Sequence, residues 1–350
     1  MHCPECGTLR DPEAAGEPER CPACGAECTQ VPVGRERTKE TGARKAAAPR
    51  ISGPVRIGVL LLALVLAVAS VVAVSRNKSH ANRLAGQPRQ QEIMIPMPQA
   101  GASGLQALLV YYPASSRQGL VVLSHGSPRN SALRAQMTPY DLLPQALEFA
   151  RRGWLVAIVM RRGYGNSGGA WAESFGACGN AQYLAAGQEA SLDLRTAMEY
   201  LSGLPQVDGS RILAVGVSAG GFATTALTAH PPPGLVAAIS FAGGRGSVAP
   251  DTVCDENALV EAYRSFGASA TTPMLWVYAQ NDHFFGPRLA QRLLEVFEQG
   301  GDKVRFVQPE SFGEDGHDLF SAQGAPVWTP IVDAFLASQK LNRGAAATTR

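Results

Sequence analysis

The pentapeptide Gly216-Val217-Ser218-Ala219-Gly220 constrains this chain more than any other stretch, because of what flanks it. An apolar, strand-like run, Arg211-Ile-Leu-Ala-Val, leads in, and a small-residue helical stretch leads out. A strand that reverses directly into a helix needs glycines two positions either side of the turn, and the residue at the apex is pushed outward on a strained backbone. A serine at such an apex is a candidate nucleophile. The N–H of Ala219, at the helix start, points where an oxyanion would form. With 37 glycines in the chain the pentapeptide alone is a weak signal, and the flanking elements give it weight.

A serine hydroxyl needs a base, and the base needs an orienting carboxylate. Both follow downstream in the order Ser, Asp, His. The apolar run Pro273-Met-Leu-Trp-Val-Tyr-Ala279 is followed by Gln280-Asn281-Asp282-His283, which places Asp282 just beyond a strand end. The run Val304-Arg-Phe-Val307 precedes a Gly-rich loop, Phe312-Gly-Glu-Asp-Gly-His317-Asp-Leu-Phe320, where Gly316 leaves His317 free to turn toward the serine. His283 adjoins the acid and reads as a loop residue, and His230 reads as a helix-ending surface residue. Asp315 and Asp318 rival Asp282 but share the histidine's own loop. The alternative role for Asp282 is capping a helix that begins near Pro287.

A second oxyanion donor belongs in a loop after an earlier strand. Leu120-Val-Val-Leu-Ser124 is that strand, and it runs into His125-Gly126-Ser127-Pro128. Pro128 has no N–H, so Ser127 is the expected donor, with Gly126 allowing close approach of the backbone. His125 reads as a residue that holds this loop by hydrogen bonding.

Strand-like runs (106–112, 120–124, 154–160, 212–217, 235–241, 274–279 and 304–308) alternate with helical stretches (139–152, 190–204, 256–266 and 287–299). This alternation predicts an α/β fold, a mostly parallel sheet covered by helices on both faces. In such sheets ligands bind beyond the carboxyl ends of the strands, where every candidate residue above falls.

From about residue 92 to 341 the chain resembles the α/β-hydrolase superfamily, and is most similar to its dienelactone-hydrolase and prolyl-oligopeptidase branches. The matching pieces are His125-Gly126-Ser127-Pro128, Arg161-Arg-Gly-Tyr-Gly-Asn-Ser-Gly168, Val207-Asp-Gly-Ser-Arg-Ile212 leading into Gly216-Val-Ser-Ala-Gly-Gly221, Gln280-Asn-Asp282 and Gly313-Glu-Asp-Gly-His317. The resemblance implies Ser218 as nucleophile, His317 as base, Asp282 as its orienter and the N–H groups of Ala219 and Ser127 as the oxyanion hole. It also implies acyl transfer on a small ester or peptide, with no cofactor for catalysis. Dienelactone hydrolases proper use cysteine where this chain has Ser218, so the resemblance extends to ester hydrolysis rather than to that substrate. A peptidase of the prolyl-oligopeptidase type is the alternative, although the segment before residue 92 is too short for the propeller such enzymes usually carry. A non-catalytic membrane-tethered binding or sensor protein is the alternative outside enzymes. Tyr164, Trp171 and Phe175 are read first as core packing, and Arg161 and Arg162 as loop-holding residues that leave substrate acidity open.

The N-terminal third concerns place rather than chemistry. Residues 1–29 hold Cys3, Cys6, Cys21 and Cys24 as two Cys-x-x-Cys knuckles, a spacing suited to a structural four-thiolate zinc site whose metal would supply most of the folding free energy. Such a ribbon invites a protein partner. Residues 30–56 form a basic linker, and 57–74 form an uncharged apolar run long enough to span a membrane. Seven Lys or Arg residues between Arg35 and Arg56 precede the run, against Arg76, Lys78, Arg83 and Arg89 after it. That asymmetry places the N-terminus in the cytoplasm and the α/β domain on the far side, in a periplasm or equivalent exterior. A cleaved signal peptide is the rival reading of the run. Residues 75–91 read as a linker and 342–350 as a disordered tail. Cys178 and Cys254 are an even pair in a compartment that permits oxidation, so a disulfide is expected between them, with two buried free thiols as the alternative. The net charge of +2 argues against a nucleic-acid partner.

Overall fold

The computed structural model describes residues 86–342, apart from 302. The cysteine knuckles, the basic linker, the apolar run 57–74, most of the second linker and residues 343–350 lie outside the described residues. Among the described residues no helix is long and apolar enough to cross a membrane.

In chain order the elements are β1 (Arg89–Ile95), β2 (Leu105–Tyr111), β3 (Gln118–Ser124), α1 (Leu143–Arg151), β4 (Leu155–Val159), α2 (Tyr183–Ser202), β5 (Val207–Val217), α3 (Ala219–Leu227), β6 (Leu235–Phe241), β7 (Ser247–Ala249), β8 (Thr252–Val253), α4 (Glu256–Ser269), β9 (Met274–Val277), α5 (Pro287–Phe297), β10 (Val304–Val307) and α6 (Ala325–Ser338). An eight-stranded sheet has the order β1-β2-β4-β3-β5-β6-β9-β10, and β7 and β8 form a separate hairpin. β1 and β2 run antiparallel at one edge, and from β4 to β10 every pairing is parallel. Continuous apolar runs become the central parallel strands because helices bury both of their faces. Leu120 and Val122 of β3 join the cluster that holds Leu194, Phe222, Tyr263 and Phe297, whereas Val121 and Leu123 join the one with Phe149, Trp328 and Phe335. Successive residues thus serve opposite faces, as the strand period demands.

Several elements depart from the sequence expectation, α2 by starting at Tyr183 rather than at 190, and three others as follows. The sheet begins at Arg89, inside the expected linker and three residues before the expected boundary, because the mostly exposed residues of β1 pair along Leu105–Tyr111 as an edge strand. β5 starts at Val207, where Asp208-Gly209 continues the strand beside β3 with a register shift at Gly119 rather than turning. Helix α6 contains Pro330, which interrupts the hydrogen-bond ladder and hides the helical pattern, yet Trp328, Val332, Phe335 and Leu336 are buried beneath it.

Candidate active site

The pentapeptide folds as the strand-to-helix turn that its flanks require. Ser218 follows β5 with φ 57° and ψ −122°, a conformation costly for a residue with a side chain, and α3 begins at Ala219. Three backbone bonds hold it there: Ser218 N–H donates to Phe241 O at 2.9 Å, and Ser218 O accepts from Phe222 N at 2.9 Å and Gly244 N at 3.1 Å. The flanking glycines are fixed by space. A Cβ at Gly216 would lie 2.1 Å from Gly220 O, and one at Gly220 would lie 2.2 Å from Ser124 O, so neither position admits a side chain. Such a turn keeps the serine hydroxyl at the sheet's carboxyl edge.

Asp282 and His317 meet at the same edge. Asp282 sits beyond β9, is 1% exposed, and places its two carboxylate oxygens each 3.2 Å from His317 Nδ1. Oδ1 also accepts from Phe284 N at 2.7 Å and Phe285 N at 2.9 Å, which fixes the carboxylate. Asp282 is therefore not a cap of α5, whose N-cap position is Gly286. Asp315 is used otherwise, accepting from His317 N at 2.9 Å and His283 N at 3.0 Å, so it shapes the loop from below. The His317 ring stacks on Phe284 with centroids 3.9 Å apart and 11° between planes. His283 points elsewhere, to Asp251 at 3.0 Å on the surface, and that carboxylate raises its pKa.

Both expected oxyanion donors lie beside the serine. Ala219 and Ser127 line the cavity that Ser218 opens into. Ala219 is the first residue of α3, whose N–H has no partner within the helix. Among the described residues Ser127 N–H reaches no protein acceptor. A Cβ at Gly126 would lie 3.2 Å from Ser218 Cβ, so the glycine brings the two loops into contact.

A buried charged network supports this loop. Arg161, fully buried, donates to Ser124 Oγ and His125 O, each at 2.7 Å, and pairs with Glu173. Glu173 is shared, with Arg245 Nη1 lying 2.7 Å from its Oε2. Burial alone would raise the Glu173 pKa, but Arg161 and then Arg245 outweigh it and hold the carboxyl at about 2. Tyr164 joins Glu173 at 3.1 Å and the Ser127 hydroxyl at 2.8 Å, and receives a bond from Trp171 Nε1 at 3.1 Å. His125 is neutral: Nδ1 donates to Gly126 O at 2.6 Å while Nε2 accepts from Arg161 N at 3.1 Å. Arg161 thus holds the loop, as the sequence suggests, and Arg162 does likewise through Asp193.

The cavity in front of Ser218 measures about 420 Å³. Trp171 and Phe175, first read as core, line it, whereas Tyr164 is fully buried behind it. Cys178 and Cys254 are joined by a disulfide that ties the segment carrying Trp171 and Phe175 to the start of α4. Sequence reasoning missed Arg129, Arg134, Arg245, Phe284 and Glu173. The signal for Arg245 was its place after Gly243-Gly244 at a strand end, and that for Glu173 was an acid inside an aromatic insert. Among the described residues no cluster of His, Cys, Asp or Glu is arranged to hold a metal.

Residues 143–243, which span α1 to the end of β6, match the prolyl oligopeptidase family. No curated protein sequence matches the chain. Among solved structures, the apo form of esterase 2 from Thermogutta terrifontis is similar, with 17% identity, a TM-score of 0.52, and coverage of 73% of this chain and 96% of that one. Its propionate-bound form gives 18% identity and a TM-score of 0.52 over the same shares. An esterase of Pyrococcus furiosus gives 15% identity and a TM-score of 0.50, covering 73% of this chain and 94% of that one. The fold is that of the α/β-hydrolases. With the family match over the segment that carries Ser218, the chain is a serine hydrolase, of the esterase or peptidase kind.

Proposed function

We propose that the protein is a carboxylic ester hydrolase acting through a triad of Ser218, His317 and Asp282. The observation that carries this reading is the strained Ser218 turn opening into the cavity whose wall, Phe284, also stacks on the Asp282-bound His317. His317 Nε2 takes the Ser218 proton as Oγ attacks the ester carbonyl, and the Ala219 and Ser127 N–H groups receive the oxyanion. Asp282 keeps the Nδ1–H tautomer and offsets the imidazolium charge. The same proton passes to the leaving alcohol. Water then attacks the acyl-enzyme with His317 again as base, releasing the acid and restoring Ser218.

A peptidase is the second reading, favoured by the match to the prolyl oligopeptidase family. The same residues would serve an amide, with the proton passing to an amine. Beyond the described residues, we propose that Cys3, Cys6, Cys21 and Cys24 hold a structural zinc ion and present a ribbon to a protein partner. The apolar run 57–74 would anchor the chain with the hydrolase on the extracytoplasmic side.

Fluorophosphonate labelling tests the central assignment, and the Thermogutta esterase 2 was itself solved phosphonylated by sarin. Wild-type protein should label, and Ser218→Ala and His317→Ala should not. Ester turnover should fall by roughly three orders of magnitude or more in Ser218→Ala. Labelling that persists in folded Ser218→Ala protein overturns the nucleophile assignment. Panels of small esters and of peptide amides then separate the two readings.

A further inference from the structure

We propose that the cavity in front of Ser218 contains an anion subsite built by Arg129, Arg134 and Arg245, and that its substrates are small esters bearing a second, carboxylate group. This rests on the serine hydrolase reading above.

Among the described residues three arginines line the cavity, and no Asp or Glu does. Arg129 lies over the Phe284 ring at 3.5 Å and donates to Ser247 Oγ through Nε at 3.1 Å and Nη2 at 2.8 Å. Arg134 lies over the Trp171 ring at 3.8 Å. Among the described residues neither meets a carboxylate, although other arginines of the domain, such as Arg152 and Arg292, do. Stacking on an aromatic face fixes a guanidinium plane while leaving its N–H edge available, which suits a planar carboxylate.

Arg245 adds charge from within the wall. It is 4% exposed, and it shares Glu173 with Arg161, so the buried trio carries one positive charge in excess. Its Nη1 lies 2.7 Å from Glu173 Oε2 and its Nε donates to Glu173 O at 3.1 Å, so the side chain is fixed in the wall behind the cavity. The net positive charge of that trio attracts an anion held in front of it. Arg134 and Arg245 both lie within 5.5 Å of the Trp171 ring, so they flank one wall. A cavity of about 420 Å³ beside the serine suits a compact ester with its carboxylate held on that wall. Hydrolysis consumes the ester and one water and yields the alcohol and the dicarboxylic acid.

Monoethyl glutarate and ethyl pentanoate differ by the carboxylate and share the ethyl ester, and ethanol release reports on both. Wild type should favour the glutarate in kcat/KM by about tenfold or more, the lower range for a charge-assisted guanidinium contact. Arg134→Gln should reduce that preference about tenfold through KM, with Arg134→Lys between them. Arg288→Gln, whose side chain is 82% exposed and outside the cavity, should leave the ratio unaltered. A wild-type ratio near one, or a ratio unmoved by Arg134→Gln, overturns the subsite while leaving the hydrolase reading intact. Absence of both fluorophosphonate labelling and ethanol release overturns the hydrolase reading instead. Calorimetric titration of Ser218→Ala protein with monoethyl glutarate tests the subsite without turnover. Binding that weakens in Arg134→Gln and with added salt supports it, and binding no tighter than that of ethyl pentanoate refutes it.

Discussion

Acid should weaken the folded domain through one residue, His125. The ring is 3% exposed, and both of its nitrogens are committed to the neutral form, Nδ1–H donating to Gly126 O and Nε2 accepting from Arg161 N. Burial first, and the Arg161 charge second, lower its pKa from 6.5 to about 3, against a smaller raising effect of Glu173. For a histidine depressed in this way the contribution to stability is full above pH 6.5 and is lost as pH falls toward 3, because only the unfolded chain takes up the proton in that window. The slope is about 1.4 kcal/mol per pH unit, so at pH 5 the loss is about 2 kcal/mol. For a domain of this size that lowers the melting temperature by about 4–8 °C. Asp193, raised to about 6 chiefly by burial, works in the opposite direction, since the folded state then holds a proton that the unfolded one releases. Both groups must therefore be separated by comparison. Thermal unfolding at pH 7.5 and pH 5 in wild type and His125→Gln does so, because Asp193 is common to the two. The variant should start less stable and lose about 4–8 °C less on acidification. Equal losses in the two proteins would show that His125 is not the acid-sensitive element.

Glu173→Gln should destabilise the domain by about 3–5 kcal/mol, because Arg161 and Arg245 would remain buried without their shared carboxylate. Urea unfolding measures this, and a loss below about 1 kcal/mol would mean that water or another group already compensates the two cations. Cys178 and Cys254 are 76 positions apart in sequence, so their bond should contribute about 4 kcal/mol by restricting the unfolded chain. Reductant, or Cys178→Ser, should lower the melting temperature of wild type accordingly. A melt that reductant leaves unmoved, together with a non-reduced digest lacking the linked peptide, would remove the bond.

The parts of this molecule that were legible in its sequence are those whose cause is local. Buried parallel strands read as continuous apolar runs because both faces meet helices, and β3, β6 and β9 fall where those runs do. The placement of Ser218, Asp282 and His317 was legible because each follows its own strand, and a parallel sheet gathers such strand ends at one edge whatever the loops contain. β1 was not, since an edge strand with solvent on one side needs no apolar run, and α6 was not, since Pro330 masks a helix secured by burial of Trp328 and Phe335. The cavity wall was illegible for a further reason. Arg129 is fixed by Ser247, 118 positions away, and Glu173 by Arg245, 72 positions away. Nothing in the local pattern around any of these residues requires the other. The β3–β5 and β5–β6 pairings bring their loops together, and only then does an arginine after a glycine pair acquire a carboxylate behind it and a serine in front. The proposed chemistry therefore rests on strand-end motifs, whereas the proposed choice of substrate rests on contacts that exist only once the sheet has formed.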